Sequence, residues 1–262
     1  MNLESTLRAR RDAGHKLLVP YVTGGLPFGG GESWLDVVRA VVSAGADAVE
    51  VGIPFSDPVM DGPVIQEASR RALEGGATPR GILVELTGAG EVGAPLAVMT
   101  YLNVVHAFGL DRFADSLSRA GVDGVIIPDL PLDEAGPWLE AAGSHRVETV
   151  LLAAPPTPDD RLEAICAAST GFVYGVGLMG VTGVRESLAA SALAMAKRLK
   201  AITDKPVLIG VGVSDAAQAV EACSEADGVV IGSALIQRLL DGGGSDAAAE
   251  LVGEVRAALI KG

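Results

Sequence analysis

Eight short apolar runs rich in β-branched residues, each followed by a longer stretch with helical spacing, constrain this chain more than any other feature. The runs occupy residues 17–21, 48–52, 96–100, 124–127, 148–152, 172–174, 206–209 and 228–231. Between them apolar residues return at helical intervals, as at Trp34, Val38, Val41 and Val42 before Gly45, or at Phe113 and Leu117 between Asp111 and Gly121. Strands that are apolar throughout, rather than alternating, belong to parallel sheet covered on both faces. Three junctions also repeat a pattern: Ala46-Asp47-Ala48-Val49, Val122-Asp123-Gly124-Val125 and Ala226-Asp227-Gly228-Val229. Their spacing leaves room for two and four strand–helix units. Eight such units with no polar linker predict an α/β chain forming a single (β/α)8 barrel, a TIM barrel, over residues 1–262, with an open doubly wound sheet as the alternative.

Composition removes several function classes. Asp and Glu number 33 against 20 Lys and Arg, a formal net charge of −13. Such a surface repels nucleic acid and anionic membranes, so an anionic ligand has to be held by local groups. Cys166 and Cys223 stand apart, with no C-x-x-C or Cys/His cluster, and neither a disulfide framework nor a zinc site is expected. No run reaches the roughly 18 apolar residues of a membrane span, and residues 1–11 are too charged for a secretory leader. A cytoplasmic protein is therefore expected.

In a barrel of this kind the active site lies where the strands end. Those positions are polar or glycine-rich: Tyr21 to Gly25 after the first run, Glu50 and then Asp61 with the second, Tyr101 and Asn103 after the third, and Asp129 after the fourth. Glu50 sits in an apolar strand, where desolvation raises a carboxyl pKa toward the range of a general acid/base; a strand-end glutamate paired to an arginine reads equally well. Asp61 and Asp57 each suit either chemistry or a Pro/Gly turn, and Asp129 suits a structural or interface role. Glycines follow the last three runs, at Gly180, Gly183, Gly210, Gly212 and Gly232-Ser233. Any one of them reads as a simple turn residue, but together they free backbone N–H groups where barrels commonly hold phosphate. His15, His106 and His145 form no motif, no serine or cysteine sits in a nucleophile elbow, and Gly175-Val176-Gly177 lacks the context of a dinucleotide site. Met60, Met99 and Met179 read as packing residues.

The stretch Val49-Glu50-Val51-Gly52-Ile53-Pro54-Phe55-Ser56-Asp57-Pro58 with Asp61-Gly62-Pro63, together with Gly180-Val181-Thr182-Gly183, resembles the signatures of the tryptophan synthase α subunit family. Tyr101-Leu102-Asn103, Pro128-Asp129-Leu130-Pro131, Ala154-Pro155-Pro156-Thr157 and the glycine segments at 210–214 and 232–234 follow in family order. The resemblance implies a (β/α)8 barrel that cleaves indole-3-glycerol phosphate to indole and glyceraldehyde 3-phosphate, a carbon–carbon lyase reaction of tryptophan biosynthesis, without a cofactor of its own. It implies Glu50 as general acid/base and Asp61 as partner of the ring N–H. Tyr174 would position substrate or Glu50; Tyr21, Met99, Ile127 and Val211 would line the indole pocket; Thr182, Gly183, Gly212, Gly232 and Ser233 would bind at the phosphate end. It also implies a pyridoxal-phosphate-dependent β-subunit partner that receives indole through a tunnel in an αββα heterotetramer. A stand-alone lyase, or a silent barrel that only activates its partner, are the alternatives. The chain departs from the family at Gly177-Leu178-Met179, where a Ser-Arg-Ser/Thr run is frequent, and at Leu26, where Asp before Pro is common.

Overall fold

Each apolar run pairs with the next, and the last returns to the first. In the computed structural model, which describes residues 2–177, 185–210 and 212–261 (residues 185–189 as backbone only), eight parallel strands close a barrel in chain order. They are β1 (Leu17–Thr23), β2 (Val49–Gly52), β3 (Leu96–Met99), β4 (Gly124–Ile126), β5 (Glu148–Ala153), β6 (Val173–Val176), β7 (Val207–Gly210) and β8 (Gly228–Ile231). The helices are α1 (Leu3–Asp12), α2 (Trp34–Ser43), α3 (Pro63–Glu74), α4 (Pro79–Ala89), α5 (Leu102–Phe108), α6 (Leu110–Arg119), α7 (Gly136–Ser144), α8 (Asp159–Ala168), α9 (Arg185–Ile202), α10 (Ala216–Ala222), α11 (Ser233–Leu240) and α12 (Gly244–Lys261). The predicted strands differ from these by one or two residues at their ends. Continuous apolarity fits a parallel sheet covered on both faces, and the pairing of β8 with β1 closes it so that no strand edge is left unpaired.

Alternation divides each strand's side chains between two cores. The inner one joins Leu17, Val19, Ala97, Ile126, Val150, Phe172 and Leu208. Leu3 and Leu7 of α1 enter it from the N-terminal end and are fully buried, stabilising the fold by roughly 1.5–3 kcal/mol each. The outer core holds the strand residues of opposite parity, such as Leu18, Val49, Val51 and Val98, against the helices. In α2 the buried face is Trp34, Val37, Val38 and Val41, opened by a Ser33–Asp36 capping box. Asp111, expected to open the helix before Gly121, lies inside α6, whose N-cap is Gly109.

The repeated Asp junctions have a common role at the N-terminal rim. Asp47 accepts from the Leu18 N–H at 2.8 Å, Asp123 from Leu96 N–H at 3.0 Å, and Asp227 from Val207 N–H at 2.9 Å. Each side chain preceding an even-numbered strand thus binds the start of the strand before it. At β6 Thr170 serves instead, its hydroxyl accepting from Thr149 N–H at 2.6 Å. Among the described residues no helix is long and apolar enough to cross a membrane.

Candidate active site

At the opposite rim the inward-facing positions surround a cavity of about 410 Å³. Glu50, from the middle of β2, is level with Tyr21 of β1 and Ala97 of β3. It is 1% exposed, and its Oε2 has no hydrogen-bond partner. The arginine pairing that the sequence left open is absent: no lysine, arginine or histidine lines the cavity among the described residues. Burial, reinforced by the charge of Asp61, pushes the Glu50 carboxyl up to about 8.

Asp61 reaches the same cavity from the loop between β2 and α3. That loop turns on itself through Val59 N–H to Asp57 O at 2.9 Å and Asp61 N–H to Pro58 O at 3.1 Å, and Gln66 Nε2 donates to the Asp61 carbonyl at 2.9 Å. The helix that follows has Gly62 as its N-cap and no side-chain cap, so the Asp61 carboxylate is not occupied in capping. Burial raises it to about 6, with the Tyr101 hydroxyl pulling the other way. Asp57 is an exposed residue hydrogen-bonded to Ser56 at 2.6 Å, and is absent from the cavity lining. Near neutral pH the pair therefore divides into a protonated Glu50 and an ionised Asp61. Two carboxyls held in different states by their surroundings can serve as proton donor and fixed anion.

Two tyrosines complete the wall, and each depends on a glycine of the next strand. A Cβ on Gly52 would lie 1.9 Å from the Tyr21 hydroxyl, and one on Gly210 would lie 2.5 Å from that of Tyr174. Any side chain there would displace the ring above it. Met99 and Leu152 add apolar lining.

Ile127, expected in this lining, is not part of it. It is buried in the outer core against the helices, and Ile126 takes the cavity position. The reason is parity: β4 runs from Gly124 to Ile126, so consecutive isoleucines point to opposite sides of the sheet. Met60 also departs from its expected packing role, being 41% exposed at the cavity mouth. Asn103 lies in a larger groove of about 830 Å³ outside the barrel, between α4, α5 and α6. Asp129 accepts from Leu102 N–H at 2.8 Å, the structural role expected for it. Thr182, Gly183 and Val211, with Leu178, Met179 and Gly180, lie outside the described residues.

Gly212, Gly232 and Ser233 border the cavity on the side of β7 and β8. Gly212 has φ +65°, a conformation that favours glycine. Ser233 begins α11, whose N-cap is Gly232 and whose first N–H groups receive no side-chain cap. By contrast α10 is capped by Asp215, which accepts from Gln218 N–H at 2.9 Å. The open end of α11 is thus the place where backbone dipoles would favour an anion. Sequence reasoning missed Leu152, Ala154 and Val176 in the lining and named Pro128 only within a family segment, whereas Gly210, expected among the rim glycines, is there. Counting every second residue outward from Ile126, Val150, Tyr174 and Leu208 finds each of them.

Residues 7–257 match the family model described as tryptophan synthase alpha chain. The tryptophan synthase alpha chain of Streptomyces coelicolor is 44% identical over 99% of this chain and 96% of its own length, and that of Thermobifida fusca is 42% identical over 99% and 97%. Among solved structures, one of Mycobacterium tuberculosis tryptophan synthase superposes with a TM-score of 0.88 at 39% identity, covering 98% of this chain and 97% of that one.

Proposed function

The chain belongs to the tryptophan synthase alpha chain family, a family of carbon–carbon lyases acting in tryptophan biosynthesis, and from that premise we propose how its own residues carry the reaction. The substrate is indole-3-glycerol phosphate, with its indole between Tyr21, Met99 and Tyr174 and its phosphate at Gly212, Gly232 and Ser233. The observation that carries this reading is the enclosed Glu50 carboxyl, its Oε2 without a hydrogen-bond partner, facing the same cavity as Asp61.

Glu50, protonated near neutral pH, donates its proton to the indole ring carbon that bears the glycerol chain. Positive charge develops on the ring nitrogen, and Asp61 accepts a hydrogen bond from that N–H as it does so. The Glu50 carboxylate then takes the proton of the adjacent glycerol hydroxyl while the carbon–carbon bond breaks. Its electron pair restores the indole ring, glyceraldehyde 3-phosphate leaves as the aldehyde, and Glu50 is again protonated. No water or cofactor is consumed. The fixed anion at Asp61 acts through charge that appears only on the way to the transition state, which is the condition for raising kcat. Phosphate recognition by backbone N–H groups suits a cavity with no cationic lining among its described residues.

Thr182, Gly183 and Val211 are assigned to the same substrate from the family resemblance alone. The partner is a tryptophan synthase β subunit, in an αββα assembly within the cytoplasm, and it takes the indole released here. A partner that prefers the form in which the β2–α3 loop holds Asp61 in the cavity would raise turnover by at least tenfold, equivalent to ~1.4 kcal/mol of coupling. The test is indole release from indole-3-glycerol phosphate with and without the β subunit. Slow release alone that accelerates with the partner is expected; no release under either condition overturns the reading, and fast release indifferent to the partner favours a stand-alone lyase.

A further inference from the structure

Tyr101 has no part in the reaction just described, yet its side chain makes a direct connection from the barrel to the loop that carries Asp61. It is 3% exposed and lies two residues beyond Met99, the last residue of β3. Its hydroxyl accepts a hydrogen bond from Met60 N–H at 3.1 Å, and the same hydroxyl interacts with the Asp61 carboxylate. Its ring stacks on Phe55, at the other end of the loop, with centroids 5.1 Å apart and planes inclined by 27°. Tyr101 is itself fixed from behind: the next residue, Leu102, donates its N–H to Asp129 at the end of β4, and Val104 N–H bonds to the Tyr101 carbonyl at 3.0 Å. One ring therefore holds the beginning and the end of the segment from Phe55 to Asp61, and is anchored to the scaffold rather than to the loop.

We propose that Tyr101 is a positioning residue for the Asp61 carboxylate: its hydroxyl and ring fix the β2–α3 loop so that Asp61 enters the cavity opposite Glu50. The inference rests on the reading of Asp61 above and extends it to a residue outside the cavity lining. The titratable groups facing Asp61 are Glu50 and Tyr21 from β2 and β1, Tyr174 from β6, and Tyr101 itself. Of these the Tyr101 hydroxyl is the one that stabilises the ionised carboxylate. Its loss raises the pKa of Asp61, so the acid limb of the activity profile moves to higher pH. Burial holds the phenol pKa of Tyr101 above its ordinary value, which keeps the hydroxyl as donor over the whole working range.

The experiment compares Tyr101→Phe, Phe55→Leu and Asp61→Asn in the full chain with its β subunit, measuring kcat, KM and the pH dependence of kcat/KM for indole release. Tyr101→Phe keeps the ring stack and loses only the hydroxyl. It is expected to lower kcat about tenfold, the worth of one hydrogen bond to a charged group, with KM within twofold and the acid limb displaced upward. Phe55→Leu retains the hydroxyl and is expected to leave the acid limb where it is. If Asp61→Asn is nearly inactive while Tyr101→Phe matches wild type at every pH, the assignment of Tyr101 falls and that of Asp61 stands. If Asp61→Asn retains wild-type turnover, the reading of Asp61 fails and its positioning residue falls with it. A Tyr101→Phe defect confined to KM, or an equal displacement of the acid limb in Phe55→Leu, also overturns the proposal. Should Tyr101→Phe fail to fold, the acid limb in Tyr101→His, whose ring can still donate to the carboxylate, decides: a limb at its wild-type position with activity largely kept supports the proposal, and a profile displaced with activity lost overturns it.

Discussion

The two ends of the barrel treat their buried carboxylates in opposite ways. At the N-terminal rim Asp47 accepts from Leu18 N–H, from Arg10 at 2.9 Å and from Arg256, while Asp227 accepts from Val207 N–H and Lys200 at 2.7 Å. At the C-terminal rim Glu50 is as deeply buried but keeps an oxygen without a partner. A carboxylate buried with its counterion and backbone donors keeps its charge and does structural work, whereas a carboxyl buried without them takes up a proton and is held in readiness for a ligand at a cost in stability. Identical strand ends thus divide between holding the barrel closed and running its chemistry. The cause is geometric: the Asp side chains reach back to a neighbouring strand's free N–H, while the inward-pointing Glu50 faces only the cavity.

The sharpest way to break this contrast is Glu50→Gln. It should reduce indole release by ~10²–10⁴, the usual worth of a general acid/base, with binding of a substrate-like phosphate within a few-fold. Steady-state assay beside ligand titration would show it, and near-normal turnover removes Glu50 from the chemistry. Asp47→Ala is its counterpart at the other rim. It strips Arg256, 8% exposed, of its carboxylate, although the guanidinium keeps its bonds to the carbonyls of Gly45 at 2.9 Å and Lys16 at 2.8 Å. A loss of ~3 kcal/mol in urea unfolding is expected, with kcat of the folded protein unchanged. If activity fell and stability did not, the division of labour between the rims would be wrong.

Gly232→Val narrows the comparison to the phosphate end. The added side chain should obstruct approach to the α11 N-terminus and raise KM ~10-fold more than it lowers kcat. An unchanged affinity for inorganic phosphate or glyceraldehyde 3-phosphate would move the anion site elsewhere.

Two smaller effects concern pH. Because Asp61 must be ionised and Glu50 protonated, kcat/KM should be bell-shaped, falling as pH drops below about 6 and as it rises above about 8. A flat profile between pH 5 and 9 would falsify the assignment of states. The carboxyl of Glu50 is raised in the folded chain from an unfolded value of 4.5 to about 8, so the unfolded state releases its proton first and stability declines over that interval as pH rises. Gln cannot ionise. The melting temperature of Glu50→Gln relative to wild type should therefore climb between pH 4.5 and 8 and level off above it, by up to about ten degrees. A difference that shrank with rising pH would mean that Glu50 is ionised in the free protein.

Much of this was legible in residue order alone. Eight apolar runs with intervening helical spacing determined a parallel α/β fold and favoured the barrel over an open sheet, because strands buried on both faces need covering helices and short parallel strands need crossovers. A lone glutamate in such a run, and glycines after the last strands, likewise marked the rim where chemistry would gather. The Asp repeat was visible too, but its meaning was not: the N–H groups it binds belong to strands 20–29 residues earlier, brought beside it only when the barrel closes. Side-chain direction was lost where two apolar residues adjoin. Ile126 and Ile127 are chemically equivalent in sequence, and only the register of β4 against β3, with Met99 opposite Ile126, decides which one faces the cavity. Residue types alone left Asp57 and Asp61 as equals and the family resemblance pointed to Asp61; what brings Asp61 and not Asp57 to the cavity is the loop's own hydrogen bonds and Tyr101, 41 residues from the N–H it accepts. Local sequence determines which elements form, because period and propensity act within a few residues. Which of two similar groups turns inward depends on strand register and on contacts across the closed barrel, and those exist only in the tertiary structure.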